Sequence, residues 1–199
     1  MGRRPTIPTA LTRARARVAA LATYMMLVGL MLVMPDLPAR AEDSAIERAV
    51  KATYLYKFGP FIEWPRTAFD SPFSPVYLCI VGNDPFEDIL DRAVRGQRIG
   101  DRPIVVRRLR TVDRDSGCHI MYAAGSDAQS VAEILDTVRG TPVLTITDAA
   151  RDAKARGIIH FVVHDNRVRF IIDDYAASKN GITISSKVLS LALSVRPRA

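Results

Sequence analysis

From residue 44 onward, polar and apolar positions alternate with a helical period. Ile46, Ala49, Val50, Thr53, Tyr54 and Lys57 recur at that spacing behind Ser44-Ala45-Ile46-Glu47, whose hydroxyl and carboxylate can each satisfy an orphan backbone amide. The spacing predicts a helix over 44–58 that breaks at Gly59-Pro60. Residues 76–81 are a continuous apolar run bounded by Pro75 and Gly82-Asn83-Asp84, which predicts a buried strand, followed by a helix opening at Pro85 and carrying Phe86, Ile89, Leu90 and Val94. The alternation continues with strands over 104–109 and 119–123, a helix over 127–138 stopped before Gly140, and a strand over 143–146. It then changes. Residues 158–163 and 167–172, joined by His164-Asp165-Asn166, predict an antiparallel hairpin. A short helix over 175–179, a brief strand over 182–184 and a closing helix from Ser185 or Ser186 through Leu193 complete the chain. Strands alternating with helices predict one α/β domain, a mixed β-sheet flanked by helices with an antiparallel hairpin near its C-terminal end.

The first 41 residues do not belong to that pattern. They hold six arginines and one acid, an apolar run over 18–34, the helix breakers Pro35 and Pro38 after it and the triplet Ala39-Arg40-Ala41, which together have the parts of a secretory signal peptide cleaved after Ala41. An uncleaved N-terminal anchor is the alternative, because the apolar run is long for a signal. Removing residues 1–41 leaves a domain over 42–199 and changes the meaning of the charge. The full chain of 199 residues carries a formal +7, whereas residues 42–199 keep twenty-two basic and twenty acidic side chains. The arginines Arg107, Arg108, Arg110 and Arg114 lie on one edge strand and the loop after it without interleaved aromatics, a solvated face and not a nucleic-acid groove. No membrane insertion is expected once the signal is removed.

Candidate chemistry is sparse. Cys79 and Cys118 both fall in or beside apolar strands of an exported chain, where pairing is the natural expectation and two buried thiols the alternative. No metal site is expected: the cysteines lack further ligands, and His160 and His164 on one strand stand about 13 Å apart, too far to share a zinc ion. Gly125-Ser126-Asp127 lacks the second glycine of a nucleophile elbow and reads as a helix cap, as Ser185-Ser186-Lys187 does; Asp173-Asp174 fits a helix N-terminus. There is no phosphate loop and no dinucleotide fingerprint, so neither an enzyme's machinery nor a cofactor is expected. On the residues alone, the chain is an exported α/β domain suited to binding or regulation.

The strings Ala52-Thr53-Tyr54-Leu55-Tyr56-Lys57-Phe58, Phe61-Ile62-Glu63-Trp64-Pro65 and Leu78-Cys79-Ile80-Val81-Gly82-Asn83-Asp84-Pro85-Phe86 resemble the YfiR family of periplasmic proteins. Cys118-His119-Ile120-Met121-Tyr122, Val143-Leu144-Thr145-Ile146-Thr147-Asp148, Gly157-Ile158-Ile159-His160-Phe161 and Gly181-Ile182-Thr183-Ile184-Ser185-Ser186-Lys187-Val188-Leu189 extend the resemblance across nearly all of residues 42–199. The resemblance implies a periplasmic, non-enzymatic repressor that binds the periplasmic sensor domain of an inner-membrane diguanylate cyclase, lowering cyclic di-GMP and biofilm formation. It also implies a homodimer, and an intramolecular disulfide at Cys79 and Cys118. Two departures stand out: Arg151-Asp152-Ala153-Lys154-Ala155-Arg156-Gly157 has one glycine where the family has more, and Asp173 replaces an asparagine.

A repressor of this kind needs an accessible apolar patch. The hairpin offers Phe161, Val163, Phe170 and Ile172, with one alternating set facing inward and the other open to a partner, or all four in the core. A periplasmic small-ligand-binding module feeding a sensor kinase or an outer-membrane receptor is the competing function, with its cleft at the C-terminal edge of the sheet. A hydrolase using Ser126 or His160 is the third.

Overall fold

The computed structural model describes residues 37–198, with side chains from residue 44. The predicted signal segment up to residue 36 lies outside the described residues, and among those described no helix is long and apolar enough to cross a membrane.

The described residues open on α1 (Leu37–Lys57), which starts seven residues before the predicted Ser44. Pro38 occupies its first turn, where a missing N–H costs nothing, and no helix breaker follows before Gly59. Ser44 is therefore inside the helix and not at its N-cap, and Glu47 accepts from Lys51 one turn on. A 3₁₀ turn over Gly59–Phe61 leads into β1 (Ile62–Glu63), which pairs antiparallel with β9 (Thr183–Ile184). β9 falls within the brief strand expected over 182–184, whereas β1 is too short to carry a sequence period.

The main sheet has eight strands in the order β10-β8-β7-β6-β5-β2-β4-β3. Its parallel centre consists of β2 (Val76–Gly82), β4 (Arg102–Leu109), β5 (Ile120–Gly125), β6 (Leu144–Asp148) and β7 (Ile159–His164). β8 (Arg167–Asp173) closes the predicted hairpin antiparallel to β7, through a turn in which Asp165 and Asn166 take positive φ. The short β3 (Arg98–Ile99) and β10 (Val195–Arg196) sit at the two edges. The latter lies parallel to β8, beyond the last element the sequence predicts; the closing helix α5 (Ser186–Leu189), expected through Leu193, stops after one turn, capped by Ser185.

Two more helices also differ from the pattern. α2 (Asp88–Val94) starts later than Pro85 because Asp84 first accepts from the Phe86 N–H at 2.7 Å. α3 (Val131–Thr137) is capped by Ser130 and Glu133 in a reciprocal box, four residues beyond the Ser126-Asp127 cap read from the sequence. α4 (Asp174–Lys179) is capped as predicted by Asp173, whose carboxylate accepts from the Ala176 N–H at 2.8 Å and also meets Arg196. The charge that distinguishes Asp173 from asparagine thus has a partner.

The sheet has an apolar layer on each face. On one side Leu78, Ile80, Ile120, Ile146 and Phe161 pack beneath α1 and α2; on the other Cys79, Val81, Met121 and Ala123 pack beneath α3. This near-continuous apolar character is what strands buried on both faces require.

Candidate partner-binding face

α1 carries two apolar stripes. Ala52, Leu55 and Phe58 are buried against the sheet, with Tyr54 and Phe58 stacked on each other and meeting Phe161 and Phe170 at centroid distances of 5.1–6.2 Å. The second stripe, Ile46, Val50, Thr53 and Lys57, repeats at four, three and four residues and faces an open groove of about 640 Å³. Phe61, Phe170, Val188 and Leu191 form its far wall. Of the eleven residues lining it, only Thr53, Tyr54 and Lys57 have a polar side-chain group. Ile46, Val50 and Leu191 are exposed, so water covers an apolar surface there.

The hairpin contributes less than its sequence offers. Phe161 pairs with Phe170, Ile159 with Ile172 and Val163 with Val168, so all four candidate side chains share one face of the sheet. Phe161, Phe170 and Ile172 are 0%, 3% and 3% exposed, covered by α1 and the segments after α4, and belong to the core. Only Val163 is accessible, at 54%, where the hairpin projects past α1 and forms a smaller hollow of about 350 Å³ with Ile46, Val50 and Val168. Of the four, Val163 alone joins α1's outer stripe as accessible apolar surface.

A buried polar cluster fixes α1 in place. Lys51 is 4% exposed, and its ammonium lies 2.5 Å from both Glu47 and Asp148. Asp148, at the end of β6, also accepts from the Tyr122 hydroxyl at 3.3 Å and from the Ala150 N–H at 3.0 Å. Burial, with the Asp148 charge beside it, pushes the Tyr122 phenol far above its ordinary range, so it remains a donor. Each group is committed to the others, an arrangement that clamps a helix.

The remaining candidates are held apart. Cys79 and Cys118 are bridged, with Cα atoms 5.9 Å apart, on the α3 side of the sheet. His119 accepts the Tyr77 N–H on Nδ1 at 3.1 Å and donates from Nε2 to the Ala68 carbonyl at 2.8 Å, while stacking on Phe69. Thr147 Oγ1 accepts the Gly157 N–H and bonds to His160 Nδ1 at 2.8 Å. Gly157 is required there: a Cβ would come within 2.8 Å of the Thr145 carbonyl oxygen. Ser126 Oγ accepts from the Ala128 N–H and does not bond to His160. His164 is exposed beside Asp165 at the hairpin tip.

Burial lowers the pKa of both His119 and His160 below the ordinary value of about 6.5. Their contribution to stability is therefore present above that pH and is lost as pH falls toward the folded-state values, because the unfolded chain takes up protons first. Urea midpoints should drop between pH 7 and pH 5, and the drop should shrink in a His119→Gln/His160→Gln variant; an equal drop in both proteins would assign it to other groups.

At the C-terminal edge, where the strand order reverses about β2, lies a polar pocket of about 380 Å³ lined by Asn83, Arg110, Ser126 and Asp127 among others. Gly82 and Gly125 meet so closely beside it that a Cβ on Gly82 would reach the Gly125 oxygen at 2.3 Å.

Compared with known families, residues 48–193 match a family model described as YfiR/HmsC-like. The chain belongs to that family. The match begins inside α1 and ends after α5, so it includes the disulfide, Lys51 and Asp148 of the clamp, and every residue lining the groove except Ile46.

Proposed function

We propose that this YfiR/HmsC-like protein is a periplasmic regulator that binds the periplasmic sensor domain of an inner-membrane diguanylate cyclase, holds the enzyme inactive and so lowers cyclic di-GMP and biofilm formation. The family match over 48–193 carries the reading, and the open apolar groove along α1 supports action by contact, not turnover. In this reading the chain is exported, loses residues 1–41 and works as a homodimer. N-terminal sequencing and light scattering of the periplasmic fraction test those steps.

The groove supplies the direct test. Val50→Asp and Leu191→Asp alter exposed side chains, so the folded protein should keep its thermal midpoint while affinity for the cyclase's periplasmic domain falls by about tenfold or more, as for an interface anchor. Absence of binding by the unaltered protein would reject the regulatory reading. Unchanged binding by the doubly altered one would move the contact elsewhere.

The polar pocket beside β2 and β5 favours a second reading, a periplasmic small-ligand module feeding a sensor kinase or outer-membrane receptor. A saturable ligand whose affinity falls in Asn83→Ala would support it over the first.

A further inference from the structure

We infer that the outer edge of β4 receives an extended, acidic segment of another protein as an added strand. This surface is separate from the α1 groove. Among the described residues, β3 covers only Arg102 and Pro103 of β4, leaving residues 104–109 paired with β2 on one side and with no strand on the other. Within that same set none of their backbone groups bonds to a loop or turn. At the opposite edge β10 is equally short, but Leu193 and Ser194 before it also bond to the Phe170 carbonyl and the Ile172 amide of β8. Proteins usually shorten or cover such an edge, because its unpaired N–H and C=O groups are a template for any extended chain.

Charge decides which chain fits. Residues 98–110 contain five arginines and one acid, Asp101. Arg108 is neutralised by Asp84 and Asp91, at 2.7 and 2.9 Å. The other four have no carboxylate partner among the described residues. Arg102 and Arg107 donate to the Ser71, Ser74 and Ser116 carbonyls, Arg98 to that of Asp101, and Arg110 has no hydrogen bond or ion pair within the same set. A second copy pairing through β4 would set arginines against arginines, which opposes strand pairing, whereas glutamates or aspartates on an incoming strand would be paired across it.

A preformed apolar contact stands at the start of the same edge. Arg102 holds the Ser71 and Ser74 carbonyls at 2.8 and 2.7 Å and lies 3.7 Å over the Phe69 ring. Ser71 and Ser74 bond to each other within that loop at 3.0 Å. The loop between Pro72 and Pro75 is thus tied down, yet it presents Phe73 at 80% exposure. A rigid turn that displays a phenylalanine loses little entropy when a partner covers it.

The test uses the full chain and two blocked peptides matched in length to β4, one alternating Glu and Val and the other Lys and Val. With the acidic peptide at saturation, exchange of the outward amide hydrogens in residues 104–109 should slow by about tenfold. The lysine peptide should leave them unchanged. Arg110→Glu, which removes no internal contact, should weaken the acidic peptide by roughly threefold or more at low salt with the thermal midpoint kept. No slowing with the acidic peptide, or equal slowing with both, would overturn the inference. The peptides contain no cyclase sequence, so either result leaves the regulatory reading to its own experiment.

Discussion

Replacing Cys79 and Cys118 together by alanine is expected to lower the stability of the domain by about 3 to 4 kcal/mol. The bridge spans 39 residues, and the chain-entropy treatment assigns a closed loop of that length roughly this stabilisation. Both cysteines are buried in the layer beneath α3, so truncating them adds a packing loss to the lost cross-link. For a domain of this size the combined effect should move the thermal midpoint down by roughly 10 °C. Reductant should reproduce most of the shift in the unaltered protein and none in the variant. A midpoint indifferent to both treatments would show that the bridge contributes nothing to stability. Cys118 immediately precedes His119, which bonds to the backbone of Tyr77 in β2, so reduction also loosens one end of the β2–β5 junction.

Lys51→Met should cost about 3 to 5 kcal/mol, the range for a buried ion pair that loses one member. The substitution leaves the Asp148 carboxylate buried with only the Tyr122 hydroxyl and a backbone amide to satisfy it. Adding Asp148→Asn removes the stranded charge while keeping an acceptor for both donors, and most of the loss should return. Urea unfolding of the two variants measures the difference. If the single substitution is as stable as the unaltered protein, the cluster is not what seats α1. Because the same helix presents Ile46 and Val50 to the groove, the single variant should also bind the cyclase's periplasmic domain more weakly, whereas the double variant should recover.

The two effects differ in how visible their causes are along the chain. Export and the apolar strand at 76–81 already pointed to a pair involving Cys79, since a thiol in an oxidising compartment with one available partner has few alternatives. Lys51 and Asp148 are 97 residues apart and carry no local mark; a lysine at an inward position of a helix is indistinguishable in sequence from one that reaches along the surface to water. The Ser130-x-x-Glu133 box is written in the sequence, but Ser126-Asp127 offers an earlier cap of the same chemical kind, and only the folded chain selects between them.

What the sequence determined by itself is the local part of the protein: alternation of strands and helices, the hairpin with its turn, and the family resemblance, all set by neighbouring residues through period, caps and turn chemistry. The tertiary structure decided which surfaces remain open. Strand register put Phe161, Val163, Phe170 and Ile172 on one face, but burial of the two phenylalanines depends on Tyr54 and Phe58, about a hundred positions away. Likewise, α1's outer stripe could have been core; it lines a groove because the far wall stops at Val188 and Leu191 without closing over it. Exposure is a property of what fails to pack against a residue, and no pattern confined to that residue's own segment records it.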